Sequence, residues 1–388
     1  MYLKLLKKHI KNGILHLHLP DGSTHTFGDS GIEANWYIRD EKAIVRVARD
    51  WEFELGQTYM EGGWDTGGEE LRLLLGILRT NFAIQPARRW FTPFLKLWQQ
   101  YNHIARSYRY ISHHYDTEEN IFRMFLDREM YYSCAFFNHE DDTLEQAQQN
   151  KASIIARKLL LEPGMTVLDI GCGWGSLAFH LAQHHQVHVT GITLSAEQLR
   201  VGKNEAQQRN LEHLVDFQLA DYREHSQVYD RVVSVGMLEH VGVENFREYF
   251  SRVRESLSDD GVALVHTIGN TKEAMNTNPW IERYIFPGGR IPSLSETARG
   301  IEAGQLMLTD LEVWRMHYAW TLRNWLNRFS DHQEEITALK GEAFYRMWEF
   351  YLAVCDMSFE FANLVVFQCQ LAKKHGVVPF SREYLYQK

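Results

Sequence analysis

The sequence predicts an α/β chain. Its main body is a doubly wound parallel sheet, with a small α+β domain before it and an aromatic-rich extension behind. After Glu145, short apolar runs alternate with helical stretches. The first of those runs feeds straight into a glycine-rich loop, Gly171-Cys172-Gly173-Trp174-Gly175-Ser176. Near the amino terminus, by contrast, Gly13–Leu19 alternates apolar and polar residues and meets Asp21-Gly22, the pattern of a hairpin.

Taken in order, the early segment holds that hairpin, a strand expected over Ala43–Val47, and a helix expected over Glu69–Thr80 after the Gly62-Gly63 and Gly67-Gly68 pairs. From Pro86 to Tyr110, basic residues such as Arg88, Lys96 and Arg106 interleave with Trp90, Phe94, Trp98 and Tyr108. This composition suits a surface that meets anionic lipid headgroups, and equally an interdomain connector; Leu3–Ile10 has the same two readings. The expected domains are 1–85, a helical connector over 86–120, and a main domain over 121–388. Its strands are expected at Val167–Ile170, Val187–Ile192, Val215–Leu219, Arg231–Val235 and Val262–Thr267, with helices at Leu177–His184, Ala196–Asn210 and Glu244–Leu257. The result is a Rossmann-like nucleotide fold.

The 388 residues are 45% hydrophobic and 23% charged, the make-up of a globular chain of two or three domains. A formal charge of −9 excludes a bulk nucleic-acid binder. The four cysteines form no CxxC pair and no cluster with histidines, so neither a metal site nor a disulfide framework is expected, and a reducing cytoplasm is. The start lacks a secretory signal's apolar core, and no apolar run reaches roughly 18 residues. Contact with lipid is therefore expected from the membrane surface.

The glycine spacing G-x-G-x-G, with Ser176 where a dinucleotide fold has its last glycine, suits S-adenosylmethionine better than NAD. Asp169 at the strand end and Asp221-Tyr222 after the third strand are placed for a cofactor's polar groups and adenine. Thr193 and Gln198 take the position of the usual ribose-binding acid, although Ser195 beside them also fits a helix N-cap.

Several further words carry a resemblance. Tyr132-Ser133-Cys134-Ala135, Val167–Gly175, Gly191–Ser195, Ser234–Gly242, His266–Gly269, Pro279–Gly289 and His317-Tyr318-Ala319…Trp325 closely resemble the cyclopropane-fatty-acid synthases over essentially the whole chain. The glycine loop is generic to methyltransferases, whereas the Tyr-Ser-Cys-Ala, Glu-His-Val-Gly and His-Thr-Ile-Gly words are far more specific. The resemblance implies an α/β, Rossmann-like doubly wound methyltransferase domain with aromatic-rich C-terminal insertions behind the small α+β domain. It also implies methylene transfer from S-adenosylmethionine to a cis double bond of an acyl chain on a membrane phospholipid. The resulting carbocation closes to a cyclopropane once a bound bicarbonate removes a proton.

By the same resemblance, Cys134, Glu239, His266, the Ile268 N–H and Tyr318 hold that ion, with Glu239 and the ion sharing a proton. Tyr132, Ser133, Asp169, Gly171, Gly173, Gly175, Thr193, Gln198, Asp221 and Tyr222 are expected to bind the cofactor. Singly, Cys134, Glu239 and His266 also fit core or capping roles, and His240 is a rival base. Cys355 has no activating partner in the sequence and is expected to be structural or tunnel-lining. Trp280, Tyr284, Phe286, Trp348 and Tyr351 suit either tunnel walls or plain core. A homodimer on the inner face of the cell membrane, reached from the cytoplasm without an anchor, completes the implied picture. Methyl branching of lipid and N-methylation of a small amine are the alternatives.

Overall fold

The computed structural model describes residues 2–68, 71–82 and 119–386. The basic aromatic stretch from Pro86 to Tyr110 lies outside them, as do Glu69 and Glu70. The described residues form two compact units, one drawn from three separate stretches: residues up to 82, 277–287 and 318–364.

That first unit opens with α1 (Tyr2–His9), β1 (Ile14–His18), β2 (Thr24–Phe27), β3 (Glu33–Ile38), α2 (Glu41–Arg49), α3 (Trp51–Met60), β4 (Trp64–Asp65) and α4 (Leu71–Asn81). The expected hairpin is present: β1 and β2 pair antiparallel, while β3 joins β1 in parallel, giving the order β2-β1-β3-β4. Ala43–Val47, expected as a strand, is the middle of helix α2. The Asp40 carboxylate caps that helix by accepting the Lys42 N–H at 2.9 Å. Ala43, Ile44 and Val47 then fall on one buried face. The cap and the amphipathic face outweigh the β-branched run Ile44-Val45.

The second unit begins with α5 (Glu119–Phe125) and α6 (Leu144–Leu159), the latter started by a Thr143–Gln146 capping box. Then β5 (Thr166–Ile170), α7 (Ser176–His185), β6 (His188–Thr193), α8 (Ala196–Gln208), β7 (Val215–Leu219), β8 (Tyr229–Val235), α9 (Phe246–Glu255) and β9 (Leu257–Asn270) alternate as expected. Next come β10 (Met275–Asn276), α10 (Pro279–Tyr284, in the first unit), β11 (Arg290–Ile291), α11 (Leu294–Ala303) and β12 (Met307–Trp314). Helices α12 (His317–Asp331), α13 (Gln333–Lys340) and α14 (Glu342–Phe361) belong to the first unit except for His317, and β13 (Leu364–Ala372) returns to the second from Val365 on.

The large sheet runs β12-β13-β9-β8-β5-β6-β7. Its five β5–β9 strands are parallel, and the late strands β12 and β13, which pair antiparallel, extend it at the β9 side. Buried apolar residues fill both faces, Val167, Phe179 and Phe217 among them on one and Val232, Phe250 and Phe367 on the other. The chain leaves β5 toward β6 and β7, then returns to β8 on the other side. That reversal opens a crevice at the carboxyl ends of β5 and β8. No described helix is long and apolar enough to cross a membrane.

In the first unit, α14 packs on α3 and α4. The Tyr59 hydroxyl donates to Glu349, and Arg346 donates to the Tyr59 and Trp64 carbonyls at 3.2 Å. Trp280 and Trp348 are wholly buried there, and Trp280 lies against Phe350 at 4.9 Å. Of the two readings open for this aromatic set, these two rings fit packed core.

Candidate active site

A cavity opens at the reversal point, lined by the loop after β5 and by the ends of β6, β7 and β8. Nine of the ten expected cofactor residues line it: Tyr132, Ser133, Asp169, Gly171, Gly173, Thr193, Gln198, Asp221 and Tyr222. Gly175 does not. With φ +92°, it turns the chain behind the loop, where a Cβ would stand 2.4 Å from the Phe217 ring.

Local bonds orient the lining. The Thr193 hydroxyl donates to Gln198 Oε1 at 2.7 Å, which leaves the Gln198 amide nitrogen as the donating end. Ser195 is the N-cap of α8, accepting the Gln198 N–H at 3.2 Å, so the capping role weighed for it is realised. Asp221, wholly buried, is gripped by Arg223 through Nε at 2.8 Å and a terminal nitrogen at 2.6 Å. On α6, Lys151 is buried and donates to Ser133 Oγ at 2.8 Å, with its ammonium 3.9 Å from the Tyr131 ring centre. Burial pushes Lys151 down from the usual lysine range and its neighbour Asp127 up.

Three cavity-lining groups keep a buried polar atom without a hydrogen-bond partner: Asp169 Oδ2, Trp174 Nε1 and the Tyr222 hydroxyl. Burial holds Asp169 up at about 7, partly offset by the Lys151 charge. An acceptor at the strand end with donors around it fits a ligand that brings an ammonium, hydroxyls and a heteroaromatic ring.

The sheet register brings the segments carrying Glu239, His266 and Ile268 together, although none of these three, nor Cys134, lines the cavity. Val235 on β8 faces His266 on β9, and the Gly236 N–H donates to the His266 carbonyl at 2.8 Å. The short turn Leu238–His240 therefore reaches residue 268, and the Ile268 N–H donates to Glu239 Oε1 at 2.5 Å. That amide was expected to donate to an anion; here it serves the carboxylate. Glu239 Oε2 is buried without a partner. Burial lifts Glu239 to about 7, opposed by the Ile268 N–H.

His266 is buried, with Gln368 Nε2 3.1 Å from its Nδ1 and Trp314 edge-on at 5.1 Å. Burial and the Lys151 and Lys158 charges hold it well below the ordinary histidine range, so it is neutral. His240 lines the cavity and is pushed down to about 4 by burial. Cys134 is fully buried, its thiol 3.3 Å from the Ala135 carbonyl. Tyr318 belongs to the first unit, with Phe359 at 4.7 Å. Cys355, also there, has its thiol pushed up to about 12, chiefly by burial, which keeps it protonated.

Sequence reading missed Lys151, Trp174, Arg223 and Gln368. The available signal was polarity in apolar settings: Gln368 and Gln370 interrupt the buried strand Leu364–Ala372, and Lys151 falls on a face of α6 with Ala147 and Ile155.

Sheet order, glycine loop and cavity wall together define an S-adenosylmethionine-dependent methyltransferase. Residues 102–369 match the family described as mycolic acid cyclopropane synthetase, and the chain belongs to that family. It is 37% identical over 335 residues to the cyclopropane-fatty-acyl-phospholipid synthase of Escherichia coli K12, covering 85% of this chain and 86% of that one. A probable fatty acid methyltransferase of Pseudomonas putida is 34% identical, covering 96% of each chain. The crystal structure of the mycolic acid cyclopropane synthase CmaA1 complexed with SAH and CTAB superposes with a TM-score of 0.64 at 32% identity, over 68% of this chain and 97% of that one.

Proposed function

We propose that the enzyme adds a methylene from S-adenosylmethionine across a cis double bond of a phospholipid acyl chain, closing a cyclopropane ring. The bound sulfonium supplies an electrophilic methyl group, and a bicarbonate held beside Glu239 supplies a base for the surplus proton. The observation that carries this reading is Glu239: a buried carboxylate with one oxygen tied to the Ile268 amide and the other without a partner. A carboxyl group held at about 7 can carry a proton between itself and an anion, which removes the repulsion two negative charges would feel. Neutral His266, whose carbonyl accepts the Gly236 N–H just before the turn that carries Glu239, adds in this reading a hydrogen-bonding nitrogen without adding charge. Cys134 completes the anion's set in this reading. Asp169, Tyr222 and the Gln198 amide hold the cofactor, and the apolar walls exclude water that would quench a carbocation.

In this reading the enzyme acts as a homodimer at the cytoplasmic face of the cell membrane. The test is incubation with S-adenosylmethionine and vesicles of monounsaturated phospholipid. Proton spectra of the recovered lipid should lose olefinic signal and gain high-field ring-methylene signal. Unchanged acyl chains would reject the reading. A new branch that retains an olefinic signal would favour the second reading, lipid methyl branching, which the similarity to a probable fatty acid methyltransferase supports.

A further inference from the structure

A row of hydrogen bonds ends on His266. Lys158, on α6, is 1% exposed; its ammonium donates to Glu312 and, at 2.7 Å, to Gln368 Oε1. Gln368 is wholly buried on β13, and its Nε2 lies 3.1 Å from His266 Nδ1. Each link has one polarity. An ammonium has only protons to offer, so the Gln368 oxygen must face Lys158. The Gln368 nitrogen then faces the imidazole, and it too offers only protons. His266 Nδ1 must meet it with a lone pair, which leaves the single proton of the neutral ring on Nε2. Trp314, edge-on to the ring at 5.1 Å, and the close packing of β9 against β13 restrict the ring from turning over.

We propose that Lys158 and Gln368 are positioning residues that fix His266 as its Nε2–H tautomer, so that it acts in the reaction as a hydrogen-bond donor to an anion and not as the proton acceptor. The donor role rests on the function proposed above; the tautomer does not. Helix α6 thereby reaches both the cavity, through Lys151, and the row that ends on His266, because Lys151 and Lys158 stand seven residues apart on one buried face. Burial and these two cations, which hold His266 neutral, act in the same sense. Glu312, partly exposed, balances Lys158 at the far end of the row.

The experiment is a long-range proton–nitrogen correlation spectrum of the full chain labelled at histidine nitrogens, with His266→Asn assigning the resonance. The expected spectrum shows protonated Nε2 and unprotonated Nδ1. Gln368→Glu keeps the Lys158 contact but presents an acceptor to Nδ1. It should move the proton to Nδ1 and lower kcat for methyl transfer by roughly 100-fold, with KM for S-adenosylmethionine within about twofold. A wild-type ring protonated on Nδ1, or a Gln368→Glu enzyme keeping kcat within about threefold, overturns the inference. Should that variant not fold, the wild-type spectrum decides alone. Because the spectrum needs neither lipid nor turnover, an Nε2–H ring in a chain that makes no ring product would refute the proposed reaction and leave the tautomer standing.

Discussion

Glu239 shows how much chemistry one buried side chain can set. Its Oε1 takes the Ile268 amide while Oε2 stays unpaired, and burial favours the protonated form. Glu239→Gln keeps the shape and removes the titratable proton. We expect kcat to fall by about 10²–10³-fold, with SAH affinity by calorimetry within about twofold. Stability should respond with a defined sign. A carboxyl group raised to about 7 in the fold contributes fully below the ordinary carboxylate range and loses that contribution as pH rises toward 7. The variant has no such loss. Its Tm relative to wild type should therefore become more favourable from about pH 5 to about pH 8, a swing on the order of 3 kcal/mol. A difference that is flat or falls with pH would contradict the buried acid. Glu239 and His266 were singled out by the family resemblance, one just after β8 and the other near the end of β9. Lys158 and Gln368 were not, since the polarity of each acquires meaning only through a partner more than a hundred residues away.

Among the elements, the central parallel strands were legible because strands buried on both faces read as apolar runs, as Val167–Ile170 does, while the edge strand Val215–Leu219 alternates apolar and polar residues and is a strand over those five residues. Ala43–Val47 was misread because its β-branched residues outweighed, in a short window, the Asp40 cap and the one-sided burial that make it helix. Strands β12 and β13 escaped notice because β12 is mostly part-exposed and mixed in polarity, and Gln368 and Gln370 break the second half of the buried β13. The glycine loop was legible as a whole but not glycine by glycine. Gly173 (φ +56°) lines the cavity, and a Cβ there would meet nothing within 4 Å; Gly175 is pressed against Phe217. Gly173→Ala should cost about 1–2 kcal/mol of backbone strain and weaken SAH binding. Gly175→Ala should instead destabilise the fold by about 2–4 kcal/mol, read by chemical denaturation, because Phe217 cannot give way within the packed face of the sheet. Equal effects from both substitutions would contradict this division.

For the molecule as a whole, the first unit is not continuous in sequence. Its α3 and α4 are covered by α14, and Gly56 touches both Trp280 and Phe350, residues that arrive from two later stretches. A polypeptide ending at residue 82 should therefore show no cooperative unfolding transition by circular dichroism and should bind a hydrophobic dye; a sharp transition would show that the early segment folds by itself. The same arrangement sets a schedule for the newborn chain. At about 5–20 residues per second, tens of seconds separate the emergence of α4 from the ribosome and that of α14, which begins at Glu342. Throughout that interval the side of α4 at Gly76, which Met357 and Phe361 of α14 later cover, waits bare, so a chaperone that grips apolar surface has a long opportunity to shelter it.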